Sequence, residues 1–439
     1  MTKPGEAVDA AGTTYPATTD PVPAPPGRRR VFVDLRPLRE SPEYRRLWVG
    51  GLLSKAGSQM TSVAVFIQVY SLTHSSLAVG MVGLTLAVPL IAFGLLGGSL
   101  ADAVDRRKLV LVTSGLLAVV SVAFAVQAVL DLRQLWLLYV LTALQSSLSA
   151  IDTPARGTFT PRLLPPERLP AAAALSLLSF HFSTIVGPLL AGVVIAAAGL
   201  QAAYVVDALT FVVGLYGVAR LRAMPAQSGG TRPGPRAVLE GLRFLRHEPI
   251  LGTLMLLDLN ATIFGMPHAL FPALAQSHFG GGARTIGLLY AAPAIGGVVG
   301  AALSGPVTRV RRQGLAVLVA VTVWGASIAG FGFTHVLWLG VLLLGVAGAG
   351  DVISVVFRST IVQVNTPDAL RGRVGGVNLV VGEGGPRLGD VEAGLVAAFT
   401  SPAVSAISGG LACLVGVAVV AVAVPAFTRY EAARPPASG

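Results

Sequence analysis

Charged side chains are scarce in this chain: Asp, Glu, Lys and Arg together make up 12% of its 439 residues. A soluble domain carries roughly a quarter, so this composition excludes an ordinary water-soluble globule. Cysteine is nearly absent. The one thiol, Cys413, sits in an apolar run, which excludes a disulfide framework and a cysteine metal cluster. No His, Cys and carboxylate grouping has metal-ligand spacing, so no metal is expected. A Walker-type glycine loop is also missing, so ATP is not expected to supply energy, and neither a cofactor nor an enzymatic constellation is expected. Acidic residues number 21 against 32 Lys and Arg, a net charge of +11. This excess alone would suit a nucleic-acid partner, but its distribution argues against one, because the cations lie in the loops between apolar segments. Residues 1–27 are rich in Pro, Ala and Thr and lack the apolar centre of a signal peptide. Residues 1–45 read as a disordered basic cytoplasmic tail.

What the chain does hold is 53% apolar residues and 52 glycines, in long apolar runs. Twelve segments stand out, at 47–70, 77–100, 109–130, 134–153, 170–198, 201–221, 250–275, 284–304, 314–333, 336–357, 374–399 and 403–426. Each is long enough to cross a hydrocarbon layer of about 30 Å. The expected fold class is an all-α membrane protein with twelve transmembrane helices in two six-helix halves. On this reading 46–222 is the N-terminal half, 223–249 a cytoplasmic linker, 250–427 the C-terminal half and 428–439 a cytoplasmic tail. Within the linker, 227–235 is flexible and 237–247 is a short amphipathic helix for the inner membrane surface.

Lysine and arginine set the expected orientation. One set of loops holds Arg106, Arg107, Lys108, Arg156, Arg162, Arg168, Arg309, Arg311, Arg312, Arg358, Arg371 and Arg373, with Arg220, Arg222, Arg232, Arg236, Arg243 and Arg246 in the middle loop, whereas the alternate set holds only Arg133 and Arg284. Positive residues stay inside, so a multi-pass protein of the cell membrane with both termini cytoplasmic is expected. The two halves also echo each other: Gly97-x-x-Leu100 by Gly300-x-x-Leu303, Arg156-x-Thr158 by Arg358-x-Thr360, and Gly187-Pro188 by Gly385-Pro386. Gly305 stands where the first copy has Asp102, so only the first copy offers a carboxylate.

Polar groups inside apolar helices are costly, and they face a cavity or bond to a neighbouring helix. The fourth segment carries Thr142, Gln145, Ser149, Asp152 and Arg156 at steps of three and four, a continuous polar stripe. The first offers Lys55, Gln59, Ser62 and Phe66; the seventh offers Asn260, Phe264, His268 and Phe271, with Asp258 near its start. The tenth holds Asp351 and Arg358. In the eleventh, Glu383, Arg387 and Asp390 fall at i, i+4 and i+7, a charge ladder in a glycine- and proline-rich run that permits a kink. Gating or coupling, and a static structural network, are both compatible with that ladder. His181 and His268 are lone histidines, compatible with titration near neutrality or with simple packing.

Gly98, Leu100, Ala101, Asp102, Arg106 and Arg107 sit at the spacing Gly-x-Leu-Ala-Asp-x-x-x-Arg-Arg, which resembles the loop 2–3 signature of the major facilitator superfamily. Within it, Asp34-Leu-Arg, Thr153-Pro-Ala-Arg156, Phe264-Gly-Met-Pro-x-Ala-Leu-Phe-Pro272 and Pro386-Arg-Leu-Gly-Asp-x-Glu-Ala-Gly394 are similar to the enterobactin-exporter branch. The resemblance implies a secondary transporter whose first, fourth, seventh and tenth helices line a central cavity. It implies a partnership with the bilayer, a small-molecule substrate and protons. Two positions depart from the pattern: Ser58 replaces an acid after Gly57, and Thr142 replaces an arginine. Coupling would then fall to Asp152, Asp258, Asp351 or the carboxylates of the eleventh segment. The aromatic lining (Phe66, Phe264, Phe271) suits a bulky amphiphile, a siderophore or a macrolide-like drug, exported by alternating access. The rival readings are an importer of a small nutrient and a non-transporting sensor or assembly protein.

Overall fold

The computed structural model describes residues 6–8, 14–16, 34–222, 235–304, 310–367 and 370–431, and at 6–8, 14–16, 95–103, 235–239, 241, 372 and 379 it describes the backbone alone. A short antiparallel ribbon, β1 (Glu6–Val8) and β2 (Thr14–Pro16), pairs Ala7 with Tyr15. All other described elements are helical. The first are α1 (Arg36–Glu40), α2 (Pro42–Thr73), α3 (Ser76–Ala103), α4 (Arg106–Val129), α5 (Leu135–Gly157), α6 (Thr160–Leu163) and α7 (Leu169–Ala219). There follow α8 (Pro235–His247), α9 (Pro249–Phe264), α10 (Phe271–Ser277), α11 (Ala283–Leu303), α12 (Gln313–Phe333), α13 (Leu337–Asn365), α14 (Arg371–Phe399), α15 (Pro402–Ala423) and α16 (Pro425–Thr428).

Local chemistry sets these boundaries. Ser41, Ser75, Asp105 and Ser401 each accept a hydrogen bond from the amide three residues on, closing the first turn of α2, α3, α4 and α15. Pro42, Pro249 and Pro402 open their helices, where a missing amide costs nothing. Gly199 sits inside α7 at φ 83° and ψ 174°, a backbone shape open to glycine, and it divides that helix into two arms. Residues 36–40 and 42–45, expected as part of a disordered tail, are helical instead, with Ser41 extended between them. Ser41 caps α2, and Glu40 receives two hydrogen bonds from Arg168 at 2.6 and 2.8 Å. The seventh segment, expected as one span, is interrupted. Gly265 and Pro267 end α9 at Phe264, and a single 3-10 turn leads on to α10.

Among the described residues nine helices are long and apolar enough to cross a membrane. The helices α2 and α14, 32 and 29 residues long, are too polar to be counted with them. Part of the polarity of each faces the interior, Gln59 and Ser62 from α2 and Arg387 and Asp390 from α14. Helices α2 to α7 pack on one another, as do α9 to α15, and the two groups meet where α3 lies on α14 and α7 on α11. Glycine permits that approach. A methyl added to Gly394 would fall 2.6 Å from Ser76 O, and one added to Gly287 would fall 3.0 Å from Gly192 Cα. Both contacts lie toward the turns at 74–75, 199 and 278–282, away from the arginine-rich loops.

At the arginine-rich end the loops are stitched together. Arg168 reaches Glu40, Arg222 Nη2 donates to Arg162 O at 2.6 Å, and Arg107 Nη2 donates to Ala219 O at 2.7 Å. Arg373 pairs with Glu240 of α8 at 3.0 Å. The side chains of Gly98, Leu100 and Asp102, and the position of Gly305, lie outside the described residues.

Candidate functional site

Between the two groups of helices lies a cavity of about 450 Å³. One wall is α2, which presents Gln59, Ser62, Val63 and Phe66, and the first arm of α7 adds His181, Thr184 and Pro188. Opposite stand the 265–271 connection, α11, α12, α13 and α14. Phe66 stacks on Tyr290 across the interface, with centroids 5.6 Å apart and planes 6° from parallel. Tyr290 is in turn 5.9 Å from His268 and 4.9 Å from Phe271, and its hydroxyl donates to His268 O at 2.8 Å. Trp324 Nε1 donates to Gly265 O at 2.9 Å and so fixes the irregular backbone beneath this aromatic cluster. The connection that interrupts the seventh segment is thus part of the cavity wall.

Charge enters the cavity from α13 and α14. Asp351, Glu383, Arg387 and Asp390 all line it. Arg387 pairs with Glu383 one turn earlier at 2.9 Å, as the i, i+4 spacing predicts. Asp390 is not the third rung of that ladder. It is buried, and its Oδ1 accepts from the amide of Ala269 at 2.9 Å, which ties α14 to the irregular connection. The helix runs unbroken through Pro386, so the expected kink does not end it. Asp351 lies 3.8 Å from Arg358, whose other guanidinium nitrogen pairs with buried Asp258 of α9.

Other expected lining residues point elsewhere. Thr142, Gln145 and Ser149 do not line the cavity. Helix α5 packs on α3 and α4, and Thr142 Oγ1 and Gln145 Nε2 are buried without a hydrogen-bond partner among the described residues. The stripe ends in a network set apart from the cavity. Asp152 accepts from Thr113 at 2.6 Å and Ser114 at 3.3 Å, and pairs with Arg156, whose Nη2 donates to Ser114 Oγ at 2.6 Å. Asn260 and Phe264 also face away: Asn260 Nδ2 donates to Cys413 O of α15 at 3.0 Å. A continuous helix would put them on one face with His268 and Phe271, but the break at Gly265 rotates the two pairs apart. Lys55 is exposed. Three groups were given no place in the expected cavity or coupling set. His181 and Tyr290 line the cavity, and Asp207 is buried in the N-terminal group.

Membrane-crossing helices gathered around a central cavity lined by aromatic, polar and charged groups define a multi-pass membrane transporter. The family model described as transmembrane secretion effector matches residues 33–436, and the chain belongs to this family of the major facilitator superfamily. It is 29% identical over 389 residues to the enterobactin exporter EntS of Citrobacter koseri, covering 88% of this chain and 93% of that one. To EntS of Escherichia coli O81 it is 28% identical over 385 residues, covering 88% and 92%. Among solved structures it aligns with the peptide transporter POT at a TM-score of 0.71 and 12% identity, covering 89% and 96% of the two chains. With the nucleoside transporter NupG the TM-score is 0.67 at 14% identity, covering 88% and 99%. These structural likenesses speak for the fold.

Proposed function

We propose that this protein exports a bulky amphiphilic small molecule, a siderophore or a macrolide-like compound, by proton-coupled alternating access. The observation that carries the reading is the cavity. Its wall is largely aromatic and apolar, with a few polar groups (Gln59, Ser62, His268) and the Glu383–Arg387 pair. A sugar or a nucleotide wants a dense set of hydrogen-bonding partners, whereas an amphiphile wants apolar area with a few directional contacts. The volume falls within the range of roughly 300–1,000 Å³ usual for small-molecule sites. The likeness to enterobactin exporters over most of the chain supports a siderophore as the first substrate to test.

On this reading the chain crosses the membrane twelve times in two six-helix halves. The two arms of α7 count separately, α9 with α10 counts as one crossing, and α2 and α14 are crossings whose polarity faces inward in part. Both termini lie with the arginine-rich loops on the cytoplasmic side. The glycine contacts of α3 on α14 and of α7 on α11 then seal the outer end, so the substrate loads from within. Phe66 and Tyr290 grip it from opposite halves. Coupling is carried by carboxylates within the helix bundle, among which Asp152, Asp258, Asp351 and the carboxylates of α14 are candidates.

The test compares culture supernatants of a deletion strain and its parent under iron limitation by untargeted mass spectrometry. Loss of an iron-chelating metabolite outside, with its accumulation inside, is the expected result. Matching profiles would remove the siderophore, and accumulation outside in the deletion strain would make the protein an importer.

A further inference from the structure

The second arm of α7 holds a carboxylate that the cavity does not use. Asp207 is wholly buried, at 0% exposure. Its Oδ2 accepts two hydroxyl hydrogen bonds, from Thr61 of α2 at 2.8 Å and from Ser121 of α4 at 2.6 Å. Its Oδ1 has no hydrogen-bond partner among the described residues. That oxygen and Thr210 Oγ1 both abut the bare Cα of Gly57, where an added methyl would stand 2.5 Å from Oδ1. The hydroxyl of Thr210 is committed as a donor to Asp207 O at 2.7 Å, which leaves its oxygen lone pairs free to accept.

The contrast with the other buried carboxylates is informative. Asp152 has Arg156 and Asp258 has Arg358, while Asp390 takes the amide of Ala269 and borders the substrate cavity. Asp207 has no Lys or Arg among its ion-pair or hydrogen-bond partners in the described residues. The groups facing it can be named helix by helix. From α2 they are Gly57 and Thr61, and the nearest cation along that helix, Lys55, is exposed. From α4 the group is Ser121. From its own helix Tyr204 is near, and its hydroxyl donates to Gln68 Oε1 at 2.7 Å. An ionised carboxylate wholly removed from water needs a compensating charge. A protonated one is matched by what is here. Its carbonyl oxygen takes the two hydroxyl bonds, and its O–H lies on the Gly57 side, where Thr210 Oγ1 also borders the bare Cα.

We propose that Asp207 is a proton-binding site of the transport cycle, set within the N-terminal group and apart from the substrate cavity. The inference rests on the proton-coupled reading above and names a site for its proton. In the geometry seen here Oδ1 carries the proton. When α2 parts from the second arm of α7, water reaches the carboxyl, the O–H bond breaks, and the proton passes to that water. Rebinding of a proton from the opposite side restores the packed state. Helix α2 transmits the event, because Thr61 holds Asp207 while the adjacent Ser62 lines the cavity. The same helix is clasped by the first arm of α7, where a methyl on Gly187 would stand 2.8 Å from Ala56 O.

The experiment uses the full-length protein in lipid nanodiscs and in inside-out vesicles. Infrared difference spectra recorded across a pH titration should show a carboxylic-acid C=O band that disappears at alkaline pH and is missing in Asp207→Asn. A spectrum unchanged by that substitution overturns the proposal. Asparagine reproduces the protonated group but cannot release a proton. Uptake of enterobactin driven by an imposed pH gradient should therefore fall in D207N by about tenfold or more, the scale of a coupling free energy. Counterflow of the same probe, which needs no net proton movement, should persist. Loss of both, with the variant still folded, makes Asp207 merely structural, and gradient-driven uptake that depends on sodium instead of protons also overturns the assignment. If D207N does not fold, Ser121→Ala replaces it: the pH at which the band is lost must move, and a fixed value refutes the site. If wild-type vesicles move no enterobactin under any gradient, the export reading fails for that probe, while the infrared titration still decides Asp207.

Discussion

Arg358 is the residue on which the charges of the C-terminal group depend. It faces Asp258 and Asp351, and both its side chain and that of Asp258 are largely buried. Removing a single cation leaves two carboxylates without a counter-charge, which costs about 3–5 kcal/mol for a buried pair. Arg358→Ala should therefore lower the thermal unfolding midpoint markedly, and Asp258→Asn in the same chain should recover much of the loss. Failure of that rescue would show that the arginine is held for its packing. At the cavity, Phe66→Ala removes a stacked ring contact worth about 0.5–1.5 kcal/mol beyond its area. The expected outcome is a rise of about three- to tenfold in the half-saturating concentration for the transported substrate, with little change in protein level on immunoblots. These side chains differ in how far they could be read in advance. Gln59, Ser62 and Phe66 follow a helical period in a helix that stays regular, so their shared face was legible. The stripe through Thr142 and Gln145 was equally periodic, yet periodicity reports which residues share a face and not what that face meets. Asp207 is a lone acid in an apolar run with no periodic companions, and its partners Thr61 and Ser121 come from distant segments.

The helices meet through glycine, and this is where the transport cycle is open to manipulation. Gly394 lies against Ser76 and Leu77, and Gly287 against Pro188 and Gly192. A valine at either place has no room while the groups are packed as seen here. Gly287→Val and Gly394→Val should hold the sealed end apart. Single cysteines placed at Thr73 and Thr400 should then react with a membrane-impermeant maleimide several-fold faster than in the parent, in a chain whose Cys413 is buried. Equal labelling would mean that this end does not open. At the same end the 278–282 connection meets the α12–α13 connection through two imidazoles, His278 and His335, stacked at 4.2 Å. Partial burial, and then the neighbouring ring, lower the pKa of His278 from its ordinary value. The folded state thus prefers the neutral ring. Above the ordinary imidazole range both states are neutral and the pair has no pH effect. As pH falls through that range the unfolded chain takes up protons first, and the contact is weakened. The difference in unfolding midpoint between wild type and His335→Ala should accordingly be larger at pH 8 than at pH 5; a constant difference would remove the histidine pair as its cause. Helix existence was plain from the apolar runs. The break after Phe264 was not, because the apolar run continues through Gly265 and Pro267 and hides the stop they make.

At the scale of the whole molecule the side on which the arginines lie decides what the cavity can do. The loops that bear Arg107, Arg168, Arg222 and Arg373 form one end, stitched by ion pairs and carbonyl contacts. The glycine-packed contacts between the groups are gathered toward the other. Cations resist translocation, so we expect the arginine-rich end inside. Alkaline phosphatase matures only outside the cytoplasm, whereas green fluorescent protein fluoresces when left within it. Phosphatase fused after His74, Gly280 or His335 should be active, and fusions after Gly229 or at Gly439 should be inactive but fluorescent with the second reporter. This outcome would place the sealed end outside, so that the state described here loads its substrate from the cytoplasm, as an exporter must. The reverse pattern would turn the same coordinates into a state loaded from outside. The importer reading would then gain the ground the exporter lost. An even mixture of active fusions at all five sites would mean that the molecule inserts both ways. That result is excluded if the bias of arginines across alternate loops is as decisive as their number suggests, and neutralising Arg106, Arg107 and Lys108 together should be the change that begins to produce it.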